Sequence, residues 1–370
     1  MNEHVLVTGG AGFIGSHLVD ELLEHGYRVR VLDNLAPQVH ADGAAVHLHP
    51  EAELVVGDVR DTDALARALA DVDSVVHLAA AVGVGQSMYE IAHYTSVNNL
   101  GTAHLLEALA QRGVGRLVVA SSMSIYGEGA YTDAGGQSCE VGERPVAQLR
   151  RGRWEIEDAA GQTLQPVPTP EQKTPTASSV YALSKYDQER LCLIVGQAYG
   201  IATVALRLFN VYGPRQTLSN PYTGVMAIFA SRYLNRLPPL IYEDGLQRRD
   251  FVNVRDVVRA FRRALEAPQA AGQVCNIGSG GWVTVVEVAR QMARLLDCED
   301  IPPRVTGQFR AGDIRHCFAD IRRARRVLGY RPQVSLEEGL AELAEWLDGQ
   351  VAENHSDEAL RELREKGLLV

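Results

Sequence analysis

Short β-branched runs recur through the first third of the chain, and each is followed by a stretch whose apolar residues repeat at helical spacing. The runs are His4–Val7, Arg28–Leu32, Glu53–Val56, Ser74–Leu78 and Leu117–Ala120. Strand-like runs that alternate with helical ones predict a parallel sheet with helices on both faces. The first intervening segment shows the helical period most clearly. Phe13, Ile14, Leu18, Val19, Leu22 and Leu23 form one stripe, Asp20, Glu21 and Glu24 lie opposite, and Gly26 ends it. A second helix is expected over Asn98–Gln111, and further strands over Thr203–Leu208 and Val274–Ile277.

Between Glu128 and Pro175 the periodicity dissolves into Gly, Pro, Thr and mixed charge, which predicts a long loop or small subdomain. Later segments interleave Gly and Pro with short helical patterns such as Val285–Leu296 and Leu336–Leu347, as expected of a second lobe assembled from separated pieces. We therefore divide the chain into a sheet domain over residues 1–207 and 251–278, a smaller α/β lobe over 208–250 and 279–350, and a tail over 351–370. The tail is charged and weakly amphipathic, and is expected to be a surface helix or a frayed end.

Charge narrows the possible partners. Forty-six acidic against 36 basic side chains leave a formal charge of -10 over 370 residues, which disfavours an extended surface tracking nucleic-acid phosphates. Five scattered cysteines without a Cys-x-x-Cys pair signal neither a disulfide framework nor a metal site. No apolar run approaches membrane-spanning length and no signal peptide is evident, so a cytoplasmic protein that does not enter a membrane is expected.

The run Val5-Leu6-Val7 leads into Thr8-Gly9-Gly10-Ala11-Gly12-Phe13-Ile14-Gly15 and then the first helix. Strand, glycine turn and helix in that order form a dinucleotide-binding fingerprint. Gly9 and Gly12 let backbone approach a pyrophosphate, the helix N-terminus offers free N–H groups, and Gly15 permits close packing of helix on strand. Asp33 ends the second strand, where a carboxylate can accept from ribose hydroxyls and would repel a 2′-phosphate, favouring NAD over NADP. Asp58-Val59 and Leu78-Ala79-Ala80 fall at further strand ends, the edge where open α/β sheets bind ligands. The fold class is thus a doubly wound α/β Rossmann domain with a smaller, discontinuous substrate-binding lobe.

Downstream, Tyr181 and Lys185 stand four residues apart on a helix running to about Tyr199. An ammonium beside a phenol favours the phenolate, priming Tyr181 to take a proton from a sugar hydroxyl. Ser121 and Ser122 follow the fifth strand, where a hydroxyl can hold a substrate oxygen.

These motifs, together with His77-Leu78-Ala79-Ala80, Asn98 with Gly101-Thr102, Ser121–Gly127, Arg207–Arg215 and Arg249-Asp250-Phe251-Val252, resemble the extended short-chain dehydrogenases of the NAD-dependent epimerase/dehydratase family over about residues 1–348. The resemblance implies catalysis by Ser122, Tyr181 and Lys185. It implies NAD contacts from Gly9, Gly12, Phe13, Ile14, Gly15, Asp33, Asn34, Asp58, Val59, Leu78, Ala79, Ala80, Asn98, Ser121 and Phe209, as well as Tyr181 and Lys185. Substrate contacts are implied for Ser122, Met123, Ser124, Tyr181, Asn210, Arg249, Arg310 and Asp313, the two arginines on a nucleotide-sugar diphosphate. A homodimer formed through the Asn98 and Tyr181 helices is implied as well.

Within the family, sugar dehydratases usually carry Asp and Glu directly after the catalytic hydroxyl, and decarboxylases a Glu at the second of these places. Met123 and Ser124 stand there and cannot do carboxylate chemistry. That leaves oxidation and reduction at one carbon, a 4-epimerase. The Glu128–Pro175 loop, the Ser219–Val225 run and the Gly312–Cys317 run resemble those of enzymes acting on dTDP-L-rhamnose. UDP-hexose or UDP-glucuronate epimerases, a dehydratase or reductase, and a non-catalytic NAD sensor are the alternatives.

Overall fold

The computed structural model describes residues 3–40, 43–310 and 312–369. Seven parallel strands form the central sheet: β1 (His4–Thr8), β2 (Arg28–Asp33), β3 (Glu53–Val56), β4 (Ser74–His77), β5 (Arg116–Ser122), β6 (Ala202–Leu208) and β7 (Val274–Ile277). Their spatial order is β7-β6-β5-β4-β1-β2-β3. The chain reverses direction across the sheet at β1, whose neighbours are β2 on one side and β4 on the other. A crevice outside the carboxyl ends of β1 and β4 is where such a sheet takes a ligand.

Both faces are covered because both faces of the strands are apolar. On one side α1 (Phe13–Glu24) places Leu18, Val19 and Leu22 against the sheet, where they share a core with Val257 and Phe261 of a later helix. On the other, α2 (Gly101–Arg112) and α3 (Val180–Tyr199) contribute Leu105, Leu106, Leu109 and Cys192. Each leucine withdrawn fully from water stabilises the fold by about 2 kcal/mol before entropy is counted. Ser179 begins α3 by accepting the Ala182 N–H at 3.1 Å, and Gly200 ends it in a left-handed conformation (φ 71°).

A second core lies beyond the sheet. There α4 (Val225–Leu234) supplies Met226, Phe229 and Tyr233, joined by Val286, Val288, Met292, Leu340 and Leu343 from two later helices. Ala324, Val327, Leu328 and Tyr330 pack instead into the first core, although the division of the sequence puts them with the lobe.

Three segments differ from, or add to, the periodicity reading. The 128–175 region carries a small antiparallel sheet, with Ala130–Thr132 paired to Ser138–Cys139 and to Gln165–Val167 over a core of Tyr131, Ile156 and Leu164. The helix expected over Asn98–Gln111 begins earlier, as an α-helical turn at Ile91–Tyr94, and passes through a π-helical stretch at Thr95–Leu100 before α2. Asn98 lies in that wide turn, bonded to Ala81 and Ser184. The tail forms α5 (Ser356–Glu365) with Ala359 and Leu363 buried, so it is a docked element and not a frayed end. Among the described residues no helix is long and apolar enough to cross a membrane.

Candidate active site

The turn after β1 closes with Gly9 in a left-handed conformation (φ 71°), its N–H bonded to the Leu32 carbonyl. A Cβ on Gly9 would stand 2.9 Å from the Ala79 backbone nitrogen, and one on Gly15 only 2.2 Å from the Gly9 carbonyl oxygen. Neither position admits a side chain unless backbone moves. The cradle this leaves, backed by the N-terminus of α1, fits the pyrophosphate of a dinucleotide. Asp33 points back at the turn, accepting the Ala11 N–H at 3.0 Å and the Leu35 N–H at 3.0 Å. Asn34 donates to Asp58, and Arg60 grips the same carboxylate and holds its pKa at about 2. The far edge of this crevice is therefore a fixed row of carboxylates suited to ribose hydroxyls, and Val59 and Gly101 lock together beneath it, with no room for a Cβ between them.

Across the crevice the end of β4 is tied to α3. The Asn98 amide accepts the Ala81 N–H at 2.7 Å and donates to the Ala81 carbonyl and to Ser184 Oγ. Gln188 donates to Thr102 Oγ1 at 2.8 Å, while His77 bonds Thr8 and Thr102. Burial pushes the His77 pKa down to about 3, so the ring is neutral at physiological pH. These ties fix Leu78, Ala79 and Ala80 beside the glycine turn.

Tyr181 and Lys185 lie on the inward face of α3, both buried. Burial raises the Tyr181 pKa, and the Ser122 hydroxyl facing it opposes that rise. Lys185 Nζ donates to Gln188 Oε1 at 2.6 Å, and burial lowers its pKa to about 8. The sequence argument gave Lys185 the task of lowering the phenol. The group that opposes the rise is instead the Ser122 hydroxyl, and the Lys185 ammonium is turned one helical turn along α3 to Gln188.

Strand alternation separates the two serines. Ser122 faces Tyr181 and also accepts the Ser124 N–H. Ser121 faces the other way and donates to Glu189 at 2.7 Å, itself forked by Arg207. The Ser121 hydroxyl is thus engaged inside the core, leaving only its backbone for the cofactor role inferred from sequence.

A cleft of about 400 Å³ opens above Ser122 and Tyr181 toward the second core. Met123, Ser124, Phe209, Asn210, Arg249, Arg310 and Asp313 all line it. Asn210 Oδ1 is a buried acceptor without a partner, and Gln247 Oε1 is another, so the wall offers two unmet acceptors for hydroxyl or imide donors. Arg249 has no carboxylate within ion-pair distance among the described residues. Its guanidinium donates to the carbonyls of Arg248, Ile314 and Arg315, and burial disfavours its charge. A half-buried cation held only by carbonyls has charge left to offer an anion. Arg310 lies over the Tyr242 ring and pairs with Asp313 at 2.9 Å.

Sequence reasoning missed part of this wall. Arg232 is the single charge in the otherwise apolar Val225–Leu234 segment, a signal that a cation stands on the face of a buried helix for a reason. It lines the cleft, as do Tyr222, Tyr242, Glu243 and Leu363. The two carboxylates among the lining residues, Glu243 and Asp313, are both committed: Glu243 pairs with Arg144 at 2.8 Å and Arg315 at 2.9 Å, and Asp313 with Arg310. Among the described residues no three His, Cys, Asp or Glu side chains gather as a metal site.

The fold and this strand-edge site are those expected of a nicotinamide-dependent oxidoreductive enzyme. The chain matches the profile of the NAD dependent epimerase/dehydratase family over residues 5–149 and 159–278, and it belongs to that family of NAD-dependent enzymes. It is 39% identical over 352 residues to a dTDP-L-rhamnose 4-epimerase of Burkholderia thailandensis, covering 93% of this chain and 94% of the relative. Two solved structures are also similar. A UDP-glucose 4-epimerase of Thermotoga maritima with UDP-glucose superposes with a TM-score of 0.77 at 33% identity, covering 94% of this chain and 99% of the other. A Thermus thermophilus UDP-glucose 4-epimerase in complex with NAD gives 0.73 at 33% identity, covering 94% and 100%.

Proposed function

We propose that this enzyme inverts C4 of a nucleotide-diphosphate hexose, with dTDP-L-rhamnose as its substrate. One observation carries the reading: the Ser122–Tyr181 pair faces the cleft with Met123 and Ser124 beside it, and both carboxylates of the cleft wall are bound to arginines. Proton removal is provided for, whereas a free acid and base to expel water are not. The Burkholderia relative and the Glu128–Pro175 region favour a dTDP-linked sugar. The Thermotoga complex favours UDP-glucose as the second reading.

The glycine cradle and Asp33 would hold NAD, which would supply the hydride acceptor and donor. Ser122 holds the C4 oxygen by a hydrogen bond, and Tyr181 takes its proton as the carbon is oxidised to a 4-ketone. Arg249 and Arg310 keep the diphosphate anchored while the sugar turns within the cleft, and Tyr181 returns the proton after hydride reaches the other face. Lys185 contributes its buried positive charge, positioned by Gln188.

Leu183 and Ile194 lie on one face of α3, 52% and 55% exposed, near the 49% exposed Leu100. We infer that they are covered by the same helices of a second copy, and a Leu183→Glu variant should then elute as a monomer in size-exclusion chromatography. All five cysteines are unpaired and four are buried, which fits a reducing compartment such as the cytoplasm.

The test is to incubate the purified enzyme separately with dTDP-L-rhamnose, UDP-glucose and UDP-glucuronate and follow C4 by proton NMR. Inversion is expected fastest with dTDP-L-rhamnose, needing no external hydride acceptor, and Tyr181→Phe should abolish it. A 4-keto-6-deoxy product without inversion would sink the proposal.

A further inference from the structure

The cleft has a cover that the catalytic machinery does not account for. Helix α5 lies across its mouth and touches both walls. On the lobe side Asp357 pairs with Arg232 at 2.8 Å. On the sheet side Leu363 packs against Gly85, near the Arg310 guanidinium. Glu362 spans the two, accepting from Tyr89 Oη at 2.9 Å and from Tyr222 Oη at 3.0 Å. Beyond the helix, Leu369 forms a backbone bridge with Arg310. Ser356, Ala359, Leu360 and Leu363 themselves line the cleft.

We infer that α5 is a lid over the nucleotide-diphosphate end of the cleft, opening to admit substrate and closing on it, with Arg232 shared between Asp357 and the diphosphate. The inference rests on the substrate class proposed above, yet it concerns binding and not the chemistry at C4. The lid's attachments suit it to opening. They are mostly polar and close to the rim: the Asp357 side chain is 57% exposed, so water takes up its carboxylate when the pair with the buried Arg232 opens. Glycines with positive φ, Gly349 (79°) and Gly367 (70°), flank the segment, giving the chain backbone freedom at either end. Its apolar anchors are few, chiefly Ala359 and Leu363.

Arg232 supplies the link between lid and ligand. Its guanidinium gives Nη1 to Asp357 and Nε to the Pro238 carbonyl, leaving Nη2 without a bond among the described residues. A planar guanidinium can hold a diphosphate oxygen on one nitrogen while a carboxylate keeps another. Substrate entry therefore gives Arg232 a second anion and strengthens its hold on α5, while Leu360 and Leu363 close over the ligand and exclude water from the site.

Hydrogen exchange on the intact holoenzyme tests this directly, with dTDP and UDP as probes and calorimetry to establish that each binds. Amides of 356–369 should exchange quickly in the free enzyme and at least tenfold more slowly with nucleotide bound, while those of β1 stay unchanged. Bound nucleotide without protection of 356–369 overturns the inference, whatever the enzyme does at C4. A chain ending at Asn354 should keep its NAD and turn over with KM raised at least tenfold and kcat within a fewfold; an unchanged KM also overturns it. If that chain loses NAD, the doubly substituted Asp357→Asn, Glu362→Gln enzyme, whose lid should exchange faster when free, replaces it under the same criteria.

Discussion

The two sides of the cleft are built by different means. On the sheet side, position is set by backbone: glycines that leave no room for a Cβ, strand ends in register, and amide ties such as Asn98 to Ala81. On the lobe side it is set by arginine side chains whose charges are held by carbonyls and by carboxylates, one of them from the distant C-terminal helix. A backbone cradle has one shape and binds what fits, whereas a wall of paired guanidiniums can take on a second partner when an anion arrives. On the function proposed above, a retained cofactor is matched to the first and an exchanging substrate to the second.

Breaking the sheet side should cost most. Gly15→Ala forces a Cβ to 2.2 Å from the Gly9 carbonyl, so bound NAD, read from absorbance and from extraction of the purified protein, should fall below a tenth of wild type, with activity lost alongside. The serines sharpen the contrast at the junction. Ser122→Ala removes the hydroxyl that faces Tyr181 and should lower kcat about 100-fold, in line with the loss of one oriented donor. Ser121→Ala should leave kcat within a fewfold but lower stability by about 1 kcal/mol in urea titration, because Glu189 loses a partner inside the core. Equal effects of the two would contradict the strand alternation.

On the lobe side, Arg249→Ala should raise KM about 30-fold with kcat little changed, since the anion it binds is the same in ground and transition states. A fall in kcat at constant KM would place Arg249 at the reacting carbon instead. The smallest effect is on pH. Lys185 titrates near 8, below its ordinary 10.5, so its charge is present below pH 8 and lost above it. Burial lowers the folded pKa, and the folded state therefore resists protonation. Its cost to stability is complete below about pH 8 and relieved as pH rises toward 10.5. Lys185→Met should flatten the alkaline limb of kcat/KM and flatten the rise in melting temperature over that window, while stabilising the protein at pH 7 by on the order of 1 kcal/mol.

Much of the sheet side was legible in the sequence because its determinants are local. Strand, glycine turn and helix are contiguous, and each predicted strand of the sheet appears within a residue or so of its expected place. Tyr181 and Lys185 share a face by spacing alone. Less legible was what depends on which way a side chain turns: Ser121 away from the site, and Lys185 toward Gln188. The lobe wall was least so. Arg232 meets Asp357, 125 residues later, and nothing in the local pattern of a charged tail says that it will dock across a cleft. The π-helical stretch is invisible to periodicity for a related reason, since tertiary bonds of Asn98 fix it.

That wide turn makes chain length itself a catalytic constraint. Each residue of a helix advances the side chains by about 100° around its axis. Losing one position between Ile91 and Asn98 would let the segment wind as an ordinary spiral and swing the Asn98 amide off the Ala81 peptide and Ser184. The strand-end loop would then be unmoored from the helix that carries the phenol. Natural variation in this enzyme should therefore tolerate exchanges of side chain along residues 91–98 far better than a change in their number.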